Sequence, residues 1–274
     1  MIDQRGLEQM ARALAAIPGI VAVSLGGSRA RGTHRPDSDF DLGVYYRPGE
    51  LDLAALGALA ARWTGHAIPV AGPGGWGAWV DGGAWLEVDG TRIDWILRDV
   101  ARVEEQCARA ARGEFAFHPQ PGHPLGFLDV SYAGEVATSF ALSDSAGVLA
   151  DLAARVTPYP EPLRKAMIDG LWQVDFLLDA AHKGARRADT TYVALCLAHA
   201  ALLVAHAWHA AAGAWVLNEK GLVPGTVRLG GSVSGSGARR FVDVATAALA
   251  HPGVTPEELA VTIDALRAAP RPSA

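Results

Sequence analysis

Residues 26–43 read GGSRARGTHRPDSDFDLG, and the fold follows from how this stretch joins its neighbours. A short apolar run, Ile20 to Leu25 (IVAVSL), delivers Gly26, Gly27 and Ser28 to a turn. Ten residues later Asp39 opens a second run, DFDLGVYY, ending at Tyr46. Both runs read as buried strands. Residues i and i+2 of a strand share a face, so Asp39 and Asp41 project side by side. Like charges held this close are costly unless a cation lies between them. Hard oxygen donors select Mg²⁺ or Mn²⁺.

The rest of the stretch complements the acids. Gly27 at a strand end lets backbone amides approach a phosphate closely. The Ser28 hydroxyl can donate to a phosphate oxygen, and Arg29 or Arg31 supplies neutralising charge. Ser38, directly before the first acid, joins the candidate nucleotide-binding residues. A third acid, Asp94, stands in Arg92-Ile93-Asp94-Trp95-Ile96. A lone Asp among apolar strand residues is expensive in a core, but is explained if it faces the same metals from a neighbouring strand. The pattern describes a two-metal site, one ion gripping a triphosphate and one activating an acceptor oxygen. Asp39 and Asp41 would hold both ions. Asp94 would complete the second or take the acceptor's proton. In-line attack on the α-phosphate would release pyrophosphate, with catalysis resting on positioning and charge neutralisation. The plainer alternative is a solvated strand start after Pro36, with Asp94 satisfied by Arg92. Ser28 and Asp94 in register with the acid pair favour the site.

Working outward, residues 3–16 have helical periodicity, stopped by Pro18-Gly19. Residues 51–64 are helical again. Runs 78–80 and 84–88 read as a hairpin turning at Asp81-Gly82-Gly83, Thr91 to Leu97 as a further strand, and 99–112 as a helix. The Pro-, Gly- and His-rich stretch from 116 to about 135 reads as a connecting segment. Beyond it, Leu163, Met167, Leu171, Val174 and Leu178 form one apolar helical stripe. Thr190 to Leu217 carries no Asp, Glu, Lys or Arg. It is long enough for a membrane span, but its alanines and three histidines point to the buried central helix of a bundle. LGGSVSGSG at 229–237 reads as a flexible loop and 255–268 as a last amphipathic helix. The expected class is α+β: a mixed-sheet catalytic domain, residues 1–120, followed by an α-helical bundle, residues 121–274, that binds the acceptor.

Composition narrows the classes. The chain has 274 residues, 50% hydrophobic and 19% charged, with a net charge of −5. That excludes a disordered chain and argues against a duplex-DNA binder. A basic stripe with interleaved aromatics, as RNA polymerisation would need, is missing. Two cysteines, Cys107 and Cys196, build no disulfide framework, and the opening MIDQRGLEQM is not a secretory signal. A cytoplasmic protein without a membrane partner is expected. Gly72-Pro73-Gly74-Gly75-Trp76-Gly77 matches a dinucleotide fingerprint by letter only, because it leads into a strand-like run rather than a helix.

Gly27-Ser28, the ten-residue spacing, Asp39-x-Asp41 and the later Asp94 resemble the DNA polymerase β-type nucleotidyltransferase superfamily. The form GSRARG…SDFDL is similar to bacterial antibiotic nucleotidyltransferases and to minimal nucleotidyltransferases. GHPLGF at 122–127, Tyr132 to Glu135, Arg187-x-Asp189 and Asn218-Glu219-Lys220-Gly221 look like nucleotidyltransferase-like proteins with a helical C-terminal domain. The resemblance implies that Gly27 and Ser28 cradle the triphosphate of an NTP, ATP foremost. It also implies that Asp39, Asp41 and Asp94 bind two Mg²⁺ ions. Lys220 would reach the triphosphate from the second domain, with Glu219 as an alternative base. The plain reading of Lys220 is a helix C-terminus ended by Gly221, and of Asp189 an N-cap. The acceptor would be a small-molecule hydroxyl, as on an aminoglycoside or lincosamide. A protein hydroxyl and a non-catalytic nucleotide-binding module are the alternatives, and a homodimer is compatible with each. His199, His206 and His209 share a helical face and could ligate a metal, but buried or cleft-lining histidines fit better where no Cys, Asp or Glu joins them. Trp76, Trp79, Trp85 and Trp95 read as core and cleft walls, one of which could stack on a base or a sugar.

Overall fold

The computed structural model describes residues 4–35, 37–230 and 235–273. It falls into two compact units. The first holds residues 1–110, 116–122 and 126–157; the second holds 111–115, 123–125 and 158–274. These units follow contacts. The division at residue 120 follows composition, and it stays a proposal about where acceptor binding begins.

In the first unit, helix α1 (Gln4–Ala15) buries Leu7, Met10, Ala11 and Leu14 on one stripe. It turns at Gly19, whose φ is +87° and where a Cβ would lie 2.4 Å from the backbone of Glu50, so only glycine fits. Strand β1 (Ile20–Leu25) leads into a one-turn helix, α2 (Gly27–Ala30), and then strand β2 (Phe40–Tyr46). Helix α3 (Leu53–Thr64), N-capped by Asp52, crosses back before strands β3 (Gly83–Val88) and β4 (Thr91–Asp99). Helix α4 (Val100–Arg112) and a two-stranded ribbon, β5 (Phe117–Gln120) and β6 (His123–Leu128), follow, with residues 111–112 and 123–125 of these elements counted in the second unit. Helix α5 (Ser131–Thr138), strand β7 (Phe140–Ser143) and helix α6 (Val148–Val156) complete the unit.

The sheet order is β3-β4-β2-β1-β7. Strands β2 and β4 are parallel, and every other pair is antiparallel. One face is the core, where Met10 and Leu14 of α1 and Leu56 and Leu59 of α3 join Leu42, Val44, Ile93, Trp95 and Leu97. The Trp95 indole donates to the Met10 sulfur at 3.2 Å. The period of two along each strand then puts Asp41, Asp94 and Trp85 on the opposite face.

Three sequence expectations change here. Residues 78–80 form no strand: β3 pairs with β4 around Asp89-Gly90, both at positive φ. Asp81 instead organises the preceding loop. Its buried carboxylate accepts from the Tyr46 hydroxyl at 2.8 Å and the Gly74 amide at 2.8 Å. The segment after 116 is not a plain connection, since it supplies β5, β6, α5 and the fifth sheet strand. Helix α5 is fastened by Glu135, which accepts two 2.6 Å hydrogen bonds from the buried Arg98 of β4. Tyr132 adds a bond from its hydroxyl to the Trp79 carbonyl. An ion pair this enclosed left no periodicity to read.

The second unit is helical: α7 (Glu161–Asp169), α8 (Trp172–Ala185), α9 (Thr190–Ala211), α10 (Leu222–Gly225), α11 (Ser236–Ala250) and α12 (Pro256–Arg267). The stripe from Leu163 to Leu178 is buried as expected, but it spans two helices, broken at Gly170-Leu171. Asp189 N-caps α9 by accepting from the Tyr192 amide. Helix α9 is long and apolar enough to cross a membrane, yet two thirds of its apolar window is buried against α7, α8, α10, α11 and α12. Its lack of charge is what a surrounded helix requires. Gly221 does not end α9: it sits at positive φ as the N-cap of α10. Of the loop expected at 229–237, residues 231–234 lie outside the described residues, and Ser236 already opens α11.

Candidate active site

The carboxylates gather at the start of the parallel pair. Asp41 of β2 and Asp94 of β4 are register partners on adjacent strands. Asp39 stands one residue before β2. The Asp94 carboxyl is pushed up to about 6, first by burial and then by the charges of Asp41 and Asp39, against the opposing pull of Arg92. The ordinary value is about 3.9, so the acids crowd one another without a sufficient counter-charge.

Arg92 supplies what cation there is. Its Nε lies 2.7 Å from Asp39 Oδ1, while its other arm donates to the Asp37 carbonyl at 2.9 Å. The pair is not aligned as a hydrogen bond, and Asp39 Oδ1 is a buried oxygen without a hydrogen-bond donor. Arg92 thus balances Asp39 by charge rather than by an aligned hydrogen bond, and a metal ion there would share that carboxylate with it.

Gly27 fits against this group. Its φ is +63°, and a Cβ there would fall 1.7 Å from Asp41 Oδ2. The turn after β1 is therefore closed over the Asp41 carboxylate, and the Gly26 amide donates to the Asp41 carbonyl at 2.8 Å. Ser28 follows in the first turn of α2, and its carbonyl accepts from the Thr33 amide at 3.0 Å. Arg29 is committed to the loop rather than open to phosphate. Its guanidinium donates to the carbonyls of Ser38 (2.6 Å) and Asp39 (3.2 Å) and lies 3.7 Å over the Phe40 ring. Arg31, the C-cap of α2, is exposed. The Ser38 hydroxyl accepts from the Arg35 amide at 2.9 Å, which shapes the loop into Asp39.

Of the eight candidate residues, Gly27, Ser28, Arg31, Ser38, Asp39, Asp41 and Asp94 belong to the first unit. Lys220 belongs to the second unit, in a turn where its amide donates to the Asn218 side chain at 2.9 Å. Beside it Glu219 accepts from, or shares a proton with, His123 Nδ1 at 3.1 Å within the same unit. His206 and His209 are held neutral by burial, and His209 contacts the Leu222 carbonyl at 3.2 Å. Residues the sequence reading left without a specific place are Trp85, Trp76 and Glu87. The alternation of Trp85 and Glu87 in GAWLEV was their only signal.

Among the described residues, no three His, Cys, Asp or Glu side chains form a ready-made metal cage. Mg²⁺ is typically held by one or two carboxylates together with substrate phosphates rather than by an all-protein cage. Crowded carboxylates, the buried Asp39 oxygen and the cradle at Gly27 fit that mode.

Comparison with known proteins agrees on the N-terminal part. Residues 7–70 match the nucleotidyltransferase domain family, a span that includes Gly27, Asp39 and Asp41 but ends before Asp94. No curated protein matches. A solved nucleotidyltransferase-like protein from Exiguobacterium sibiricum 255-15 aligns at a TM-score of 0.45 and 14% identity, covering 96% of this chain and 73% of that one. The similarity to the nucleotidyltransferase domain family is thus confined to residues 7–70.

Proposed function

We propose that this protein transfers a nucleoside monophosphate from an NTP, ATP foremost, to a hydroxyl of a small molecule in a Mg²⁺-dependent reaction. The observation that carries the reading is the crowding of Asp94, Asp41 and Asp39 beside Gly27, with Asp94 raised to about 6. Natural folds keep such uncompensated charge where a ligand relieves it.

Asp39, Asp41 and Asp94 would hold the Mg²⁺. Bound there, it would neutralise phosphate charge and lower the cost of crowding the acids. Gly27 and Ser28 accommodate the phosphates, with Arg31 as a further cationic contact. Ser38 keeps the loop that presents Asp39. The acceptor oxygen attacks the α-phosphorus, an O–P bond forms, and the bond to the β-phosphate oxygen breaks. Pyrophosphate leaves, and the acceptor's proton passes to the Asp94 carboxylate in the arrangement where Asp39 and Asp41 alone hold the metal. An aminoglycoside or lincosamide hydroxyl is the acceptor to try first.

Calorimetric titration of ATP, GTP, CTP and UTP with Mg²⁺ tests this on the wild type and on Asp39→Asn/Asp41→Asn. Metal-dependent binding of one NTP, lost in the double variant, is expected. Equal binding by both proteins would contradict the metal site and favour a non-catalytic nucleotide module.

A further inference from the structure

Helix α9 combines two properties that conflict. It carries no Asp, Glu, Lys or Arg, yet one of its faces is open, with Thr191, Leu195 and His199 exposed at spacings of four. A helix side that stays in water normally carries charge.

Helix α8 continues this open face. The two helices pack side by side, and a Cβ on Gly184 of α8 would lie 2.9 Å from the Tyr192 ring of α9. Trp172 and Phe176 of α8 are 68% and 69% exposed, and Leu195 and Tyr192 of α9 are 65% and 44% exposed. These four leave about 500 Å² of side chain in water. A standard interface takes about 800 Å² from each partner, about 65% of it apolar between like subunits. The face therefore supplies about the apolar share of one such interface.

The exposed side of α8 is also self-complementary. Trp172, Phe176, Lys183 and Arg187 recur at helical spacing on one stripe, and all four are exposed. The stripe runs through the turn that ends α8, where the Arg187 amide donates to the Gly184 carbonyl at 2.9 Å. Aromatic rings occupy one end and cations the other. Trp172 with Arg187, and Phe176 with Lys183, share one midpoint, between Asp179 and Ala180. A two-fold axis there, with α8 antiparallel to its copy, sets each ring against a cation of the other chain. The nearby acids do not oppose this, because Asp179 accepts from Arg267 at 2.6 Å and Asp175 from Arg271 at 2.9 Å.

We infer that this face is a homodimer interface, in which a second copy of the chain covers Trp172, Phe176, Tyr192 and Leu195 with the two α8 helices antiparallel. The assignment is independent of nucleotidyl transfer.

Sedimentation equilibrium of the full chain tests it. A mass twice the 28.7 kDa of the chain is expected. Phe176→Asp, an exposed change, should weaken association about 100-fold while the circular dichroism stays native. Trp172→Ala and Arg187→Ala should each weaken it, and their combined loss should fall short of the product of the two. Ala180→Cys, beside the axis, should give a disulfide-linked dimer on mild oxidation, since a two-fold brings like residues together; the native Cys107 and Cys196 are buried. A monomer at about 100 μM, a dimer untouched by Phe176→Asp, or a dimer that Ala180→Cys does not cross-link would overturn the inference. A monomer that sediments with anionic phospholipid vesicles would give the face to a membrane and overturn it equally.

Discussion

Two clusters of ionisable side chains stand out in this chain, and they differ in what surrounds them. On the sheet, Asp39, Asp41 and Asp94 crowd one another, and Asp94 is driven up to about 6. On α9, His199, His206 and His209 also share a face, but burial holds them neutral. Burial pushes both kinds of group toward the neutral form, but Asp94 is also raised by the neighbouring charges of Asp41 and Asp39 and borders a cavity. By sequence both clusters could be metal ligands. The difference is that the acids add mutual repulsion to burial, which is why the carboxylate row is the one proposed as a site.

The largest contrast is expected from Gly27→Ala. A methyl there collides with the Asp41 carboxylate and also demands a left-handed backbone. Strain of about 1–3 kcal/mol should leave the fold intact. Metal-dependent nucleotide affinity, read by calorimetry, should fall about 100-fold. His209→Gln on α9 should leave that affinity unchanged; a comparable loss there would break the comparison.

Stability against pH gives a second, smaller contrast with a sign. Native Asp94 holds its proton more tightly than the unfolded chain, so stability falls as pH rises from about 3.9 to about 6. Asp94→Asn should therefore raise the melting temperature near neutral pH and lose that advantage near pH 4. Native His206 binds its proton less readily than the unfolded chain, so stability is lost as pH falls below about 6.5. His206→Gln should flatten that acid-side loss. Thermal unfolding at several pH values reads both, and slopes of the same sign would contradict the account.

The smallest effect concerns support of the acids. Arg29 fixes the carbonyls of Ser38 and Asp39 and stacks on Phe40. Arg29→Gln should weaken nucleotide affinity about ten-fold, with little change in denaturation midpoint. An unchanged affinity would mean that Asp39 holds its place without this brace.

What was legible in the sequence follows from the range of the interactions. Strands β1 and β2 and the Asp41–Asp94 relation could be read from alternation and turn residues, which are local. Helix α9 was legible through its missing charges. Helix α5 and strand β7 were not, because Glu135 finds Arg98 across 37 positions. The hairpin turn went to Asp89-Gly90 rather than Asp81-Gly82-Gly83, because Asp81 is satisfied by Tyr46 from another strand. Arg29 looked like a phosphate ligand because its carbonyl partners are invisible to a pattern of side chains. Trp85 read as core or cleft wall without distinction, since its exposure depends on β3 being an edge.

The most direct measurement is paramagnetic broadening by Mn²⁺ with ATP, followed on the isotope-labelled protein. Broadening strongest at Asp41 and Asp94, and gone in Asp39→Asn/Asp41→Asn, is predicted. Broadening centred on His206 and His209, or broadening that survives in the double variant, would contradict the assignment of the carboxylate row as the metal-dependent nucleotidyl-transfer site.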